Sequence, residues 1–204
     1  MPAVYWQLSK GNCMEFRVKL NVEEPTLYEL SFFSLDLLRL SVVSTLIEES
    51  QDESSESKLK SAKDIDKSYL NRATLGKYYE KHNKDIQVKE FKEGSIELVI
   101  AGTTLVATVV VPAILHYLNK RDAEGNQMVN FTVDSNDQQI NDFLAEVENR
   151  NFGSFDDCYE FIRSTLIRRG YNFEAISDNT YKALKANSSR LEDIVLTTRR
   201  IHRN

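Results

Sequence analysis

The sequence predicts an α+β protein: a small N-terminal antiparallel sheet with two helices, one central hydrophobic helix, and a mostly helical C-terminal module. Three observations predict it. Met14, Phe16, Val18, Leu20 and Val22 alternate with Glu15, Arg17, Lys19 and Asn21, the period of a strand wetted on one face. Leu98 to Asn119 is a run of 22 residues without a formal charge. Beyond Gly125, apolar residues recur mainly at helical spacing. These features divide the chain at 1–96, 97–121 and 122–204.

Taken in order, the strand at 14–22 stops at Pro25. Ser34 is the expected cap of a helix carrying Leu35, Leu38, Val42, Val43, Leu46 and Ile47 on its apolar positions. Residues 50–58 contain no apolar side chain and read as a solvated loop. A second helix is expected at 59–82, with Ile65, Tyr69, Ala73 and Tyr78 on one broad face. Ile86, Val88 and Phe91 predict a strand, residues 92–95 a turn, and Ile96, Leu98 and Ile100 a returning strand.

In the last segment, Val129, Phe131 and Val133 predict a short strand. Ser135 or Asn136 is the expected cap of a helix bearing Ile140, Phe143, Leu144 and Val147. Gly153-Ser154 separates it from a helix over 155–169, for which Gly170 is the expected C-terminal cap. Asp156 and Asp157 read as the acidic first turn of that helix, complementing its dipole. Tyr181, Leu184, Leu191, Ile194 and Val195 predict a final helix, broken near Asn187.

The uncharged run admits two readings. About 20 apolar residues at 1.5 Å rise cross a hydrocarbon core roughly 30 Å thick. Glu97 and Lys120-Arg121 flank the run, and His116-Tyr117 lies near one end, where an interfacial ring belongs. Thr103 with Ala107, and Thr104 with Thr108, place small residues four apart after Gly102, a spacing that lets helices approach closely in lipid. Pro112 is compatible with a membrane helix. The second reading makes 96–101 a strand, which shortens the helix to about 102–118 and makes it a buried core helix. Lys and Arg near the run favour a cytoplasmic N-terminal segment if it spans.

Net charge is −5 over 204 residues, distributed as −2 over 1–96, +1 over 97–121, −9 over 122–160 and +5 over 161–204. The basic stretch offers Arg163, Arg168, Arg169, Arg199 and Arg200 as phosphate or headgroup contacts, or as partners of the acidic stretch beside them. No aromatic-interleaved nucleic-acid motif accompanies them, so nucleic acid is not an expected partner. His82, His116 and His202 have no metal-ligand spacing, and no phosphate loop or nucleophile motif is present. No cofactor, metal, catalytic residue or small-molecule ligand is therefore expected. Cys13 and Cys158 read as reduced structural thiols in a reducing cytoplasm, and no signal peptide is recognised at the start of the sequence.

These observations lead to the expectation of a non-enzymatic, single-pass protein of the cytoplasmic membrane. It oligomerises through its central helix and carries a soluble sensing or interaction module. A bacterial membrane-acting defence effector fits this plan. The alternative is a soluble interaction or regulatory protein of the cytoplasm, whose central helix is buried in its own core or in a partner.

Overall fold

The computed structural model describes residues 15–22, 24–51, 63–65, 76–77, 80, 86–92, 95–101, 105–120, 129–134, 137–172 and 177–202. The chain is α+β, with one four-stranded antiparallel sheet and helices packed into a common core. Strand β1 (Glu15–Asn21) is followed by helix α1 (Leu27–Glu49), then β2 (Ile86–Lys92) and β3 (Ser95–Ala101). Helix α2 (Leu105–Lys120), strand β4 (Val129–Asp134), and helices α3 (Gln138–Glu148), α4 (Phe155–Arg168) and α5 (Ser177–Ile201) complete it.

The strand order is β2-β3-β1-β4. β1 therefore has a partner on each side: Val18 faces Leu98 of β3 and Phe131 of β4. Its alternation has the expected consequence. Phe16, Val18 and Leu20 are buried in the core, while Lys19 is exposed and Arg17 reaches Glu97 at 3.6 Å. Phe16 and Phe131 stack on the covered face with centroids 6.0 Å apart. β4 opens the third segment of the sequence reading, yet it completes the sheet begun by the first. The segments at 1–96 and 122–204 thus share a sheet and a core. A strand's pairing partner is a long-range choice that local periodicity does not encode.

The uncharged run is divided between two elements. Leu98 to Ala101 belong to β3, and helix α2 has 16 residues, about 24 Å at the standard rise. All thirteen residues from Val106 to Leu118 are buried. α2 packs against α1, α3, α4, α5 and β4, so protein covers it on all sides.

Helix α1 starts earlier than the Ser34 cap expected from sequence. Thr26 is its N-cap, in a reciprocal capping box with Glu29: the Glu29 N–H donates to Thr26 Oγ1, and the Thr26 N–H to Glu29 Oε2 at 2.7 Å. From Asp36 to Ile47, only Leu38 and Thr45 are less than fully buried. An amphipathic pattern was expected here, but a helix enclosed on most sides has none to show.

The remaining helices follow their signals with two differences. Asp137, rather than Ser135 or Asn136, caps α3, accepting from the Gln139 N–H at 2.9 Å. α5 continues through Asn187, whose amide is buried and donates to the Ala183 carbonyl at 2.8 Å. That bond satisfies the amide donor within the helix, while Asn187 Oδ1 is buried without a hydrogen-bond partner among the described residues. Ser154 caps α4, and Gly170 ends it at φ 90°, a left-handed value suited to glycine. Most of the helix expected at 59–82 lies outside the described residues; within it, 63–65, 76–77 and 80 are helical and Ile65 is buried.

Candidate functional site

Of the residues expected to form a membrane or oligomer helix, Gly102, Thr103 and Thr104 lie outside the described residues. Ala107, Thr108, Pro112 and His116 are all buried within α2. His116, expected at a lipid interface, instead places Nε2 2.9 Å from the Arg150 carbonyl oxygen and meets Phe152 edge-on at 5.9 Å. It thus ties α2 to the turn between α3 and α4.

The five arginines do not gather into one site. Arg163 pairs with Glu160 on its own helix at 3.3 Å. Arg168 reaches Glu146 of α3 at 3.4 Å, and Arg169 donates to the Gln139 carbonyl at 3.4 Å while lying over the Phe143 ring. The acidic stretch thus pairs with part of the basic one. Arg199 and Arg200 occupy the last turn of α5.

The polar groups with the strongest structural demands were not singled out by the sequence. They line α1 where it meets α5. Asp36, 1% exposed, accepts from Arg39 one turn on and from Arg190 Nε of α5 at 2.9 Å. Arg39 is itself buried, and its Nε has no hydrogen-bond partner among the described residues. Seven residues earlier in α1, Glu29 is fully buried, and its Oε1 stands 3.3 Å from His202 Nε2 at the end of α5. Two helical turns separate Glu29 from Asp36, so both face α5, and the contacts fix an antiparallel α1–α5 pair. A buried carboxylate needs such partners to offset its lost hydration.

The other end of α1 is joined to α2 and to the segment after α4. Glu48 accepts from the Val106 N–H at 3.1 Å, an orphan donor of the first turn of α2, and from Tyr171 O–H at 2.8 Å. Gln51 exchanges two hydrogen bonds with the Asn172 backbone. Burial raises the Glu48 pKa above its ordinary 4.5, against the lowering effect of the two hydrogen bonds. The folded state therefore holds this proton to higher pH than the unfolded chain does. Its stabilising contribution is complete below pH 4.5 and is lost as pH rises through the folded pKa. In urea titrations, the stability of the unaltered chain relative to Glu48→Gln is expected to fall as pH increases above 4.5. A difference that stays constant with pH contradicts this assignment.

Cys158 is buried against α2, its Sγ 3.5 Å from the Ala113 carbonyl oxygen, and burial pushes its pKa up to about 12. Such a thiol is a packing group rather than a nucleophile. In a Cys13→Ser chain, Cys158 is expected to resist a thiol reagent until denaturant unfolds the protein. Labelling at the rate of a free thiol in native buffer contradicts this. Cys13 lies outside the described residues.

The surface between the start of α4 and the start of α5 carries an open cleft of about 390 Å³, lined by Asp156, Tyr159, Glu160, Arg163, Asp178 and Tyr181. Tyr159 and Tyr181 meet edge to face at 4.9 Å. The chain's own Lys185 lies over the Tyr181 ring, 2.8 Å from its hydroxyl and 4.0 Å from Asp156. Among the described residues, no group of three or more His, Cys, Asp or Glu side chains is placed to hold a metal ion.

Fold and surface together define an α+β domain built around an enclosed apolar helix. No protein-family model matches the chain, and neither a curated protein nor a solved structure matches it.

Proposed function

We propose that this chain is a non-enzymatic interaction domain whose central apolar helix is the core of its own fold. The observation that carries this reading is the unbroken burial of Val106–Leu118 between the sheet side and four helices. A helix that presents no face outward has no surface to give to lipid or to a second copy. Its Val and Ile content also suits dense packing, since each large apolar side chain removed from water contributes roughly 1.5–3 kcal/mol.

The competing reading, an oligomeric single-pass membrane protein such as a bacterial defence effector, expects its span at 97–121; with a central helix of 16 residues, a spanning helix has to be sought elsewhere. α1 is long and apolar enough to cross a bilayer, the one such helix among the described residues. It also carries Asp36, Arg39 and Glu29, each buried with a polar partner. Insertion of α1 requires separating Asp36 from Arg190 and Glu29 from His202. Charged groups at the centre of a bilayer are costly, which favours the interaction-domain reading.

The test is extraction of membranes from cells expressing the full chain with alkaline carbonate. Release into the supernatant is expected. Retention in the pellet until detergent is added overturns the proposal and supports a spanning helix.

A further inference from the structure

We propose that helix α5 is a detachable cover on α1: it opens as one unit while α1, α2 and the sheet stay folded. Five side-chain polar atoms are buried without a hydrogen-bond partner among the described residues, and all five belong to this helix pair. Ser34 Oγ and Arg39 Nε are on α1; Thr180 Oγ1, Asn187 Oδ1 and Thr198 Oγ1 are on α5. Thr180, Asn187 and Thr198 are fully buried. They spread over about five turns of α5, so the polar deficit runs along the helix rather than sitting at one end.

α5 packs chiefly on α1, with smaller contacts to α2 and α4. Helix α2 keeps α1, α3, α4 and β4 around it when α5 leaves, so the core survives the opening. A buried polar group without a partner weakens the closed state by roughly fivefold or more in its equilibrium. Opening returns the three on α5 to water. It also hydrates Asp36 and Glu29, whose α5 partners are Arg190 and His202. Leu184, Leu191 and Ile194 are buried in the core that α5 joins, and their burial keeps the closed form dominant. Apolar contact thus closes the helix, and the polar deficit lowers the cost of opening it. The open form presents the α1 face that carries Asp36 and Glu29, a groove whose resident occupant is α5. The inference goes beyond the interaction-domain reading and rests on it only in requiring α2 as the core.

The experiment is native-state hydrogen exchange of the purified full chain. Amides of residues 184–195 are expected to exchange through one common opening, roughly tenfold or more as populated as the opening that exposes the α2 amides. These positions lie in the middle of α5, where fraying of the helix ends does not imitate the result. Thr180→Val and Thr198→Val each replace an unpartnered hydroxyl by a methyl group at nearly equal helix propensity, and each is expected to slow α5 exchange roughly fivefold. Ser188→Cys in a Cys13→Ser chain keeps the test valid if a valine variant does not fold. Ser188 is 2% exposed, and the new thiol is expected to react in native buffer well before Cys158 does. Exchange of the α5 amides only through global opening, or labelling of both thiols together, overturns the proposal. So do valine variants that leave α5 exchange unchanged or speed it, since the hydroxyls are then satisfied in the closed form. Carbonate-resistant membrane association sinks the interaction-domain reading instead, so the two failures are distinguishable.

Discussion

Asp36→Ala is expected to destabilise the fold by about 3–5 kcal/mol, the cost of leaving a buried partner charge uncompensated. Arg39, 6% exposed and already short of one hydrogen bond, loses its carboxylate and has little access to water. Arg190, on the α5 side, is 39% exposed at its side chain and recovers hydration more readily. The loss therefore falls mainly on Arg39. Small domains have total stabilities of roughly 5–15 kcal/mol, so this single change approaches unfolding. Urea denaturation of Asp36→Ala, Arg39→Ala and the double variant measures the effect. The double variant is expected to be less destabilised than the two single changes predict together, because it removes both charges. A loss below about 1 kcal/mol for Asp36→Ala contradicts the buried pair. Replacing the pair with Asp36→Leu and Arg39→Met is expected to recover stability, since apolar substitutes of similar volume avoid the cost of burying charge.

Ile114→Ala is expected to cost about 2–5 kcal/mol, the range for truncating a buried aliphatic side chain. Ile114 is fully buried at the middle of α2, among residues contributed by several helices and the sheet. Removing its branch leaves a cavity that the surrounding elements cannot close without moving apart. The change is informative because a lipid-facing position behaves differently. Acyl chains fill the vacated space, and the cost there is small. A midpoint shift corresponding to less than about 0.5 kcal/mol, the scale of a neutral surface substitution, contradicts a core position for Ile114.

Local structure was largely legible in the sequence. The alternation in 14–22 marked β1, the apolar residues Ile86, Val88 and Phe91 and then Ile96, Leu98 and Ile100 marked the paired strands β2 and β3, and Ser154 and Gly170 bounded α4. What the sequence left open was where its most apolar residues go. Leu98–Asn119 satisfies the composition of a membrane span, and composition does not distinguish lipid from a protein interior. The structure divides that run between β3 and α2 because Leu98 and Ile100 have partners waiting on β1, in Val18 and Phe16. The partnership of β1 with β4 is equally invisible to local reading, since the two strands are more than a hundred residues apart in sequence.

The polar seam was missed for a different reason. Asp36 and Arg39 look like ordinary surface charges when counted with their neighbours. Their signal is spacing: an acid and a base three apart inside an apolar helix, with a second acid seven residues before the first. Such a pattern marks a helix whose polar stripe is buried against another element. Thr26 and Glu29 also carried a capping-box signature that Ser34, eight residues on, obscured. Arg190 and His202 could not be assigned to these acids without knowing that α5 returns along α1.

Native-state hydrogen exchange of the α2 amides, in water and without detergent, tests most directly the claim that the apolar run is this domain's own core. Amides from Val109 to Leu115 that have an exchangeable proton are expected to exchange only through global opening, with an exchange free energy equal to the unfolding free energy from urea. A chain that stays in solution only with detergent, or α2 amides that exchange far more easily than global unfolding allows, contradicts it.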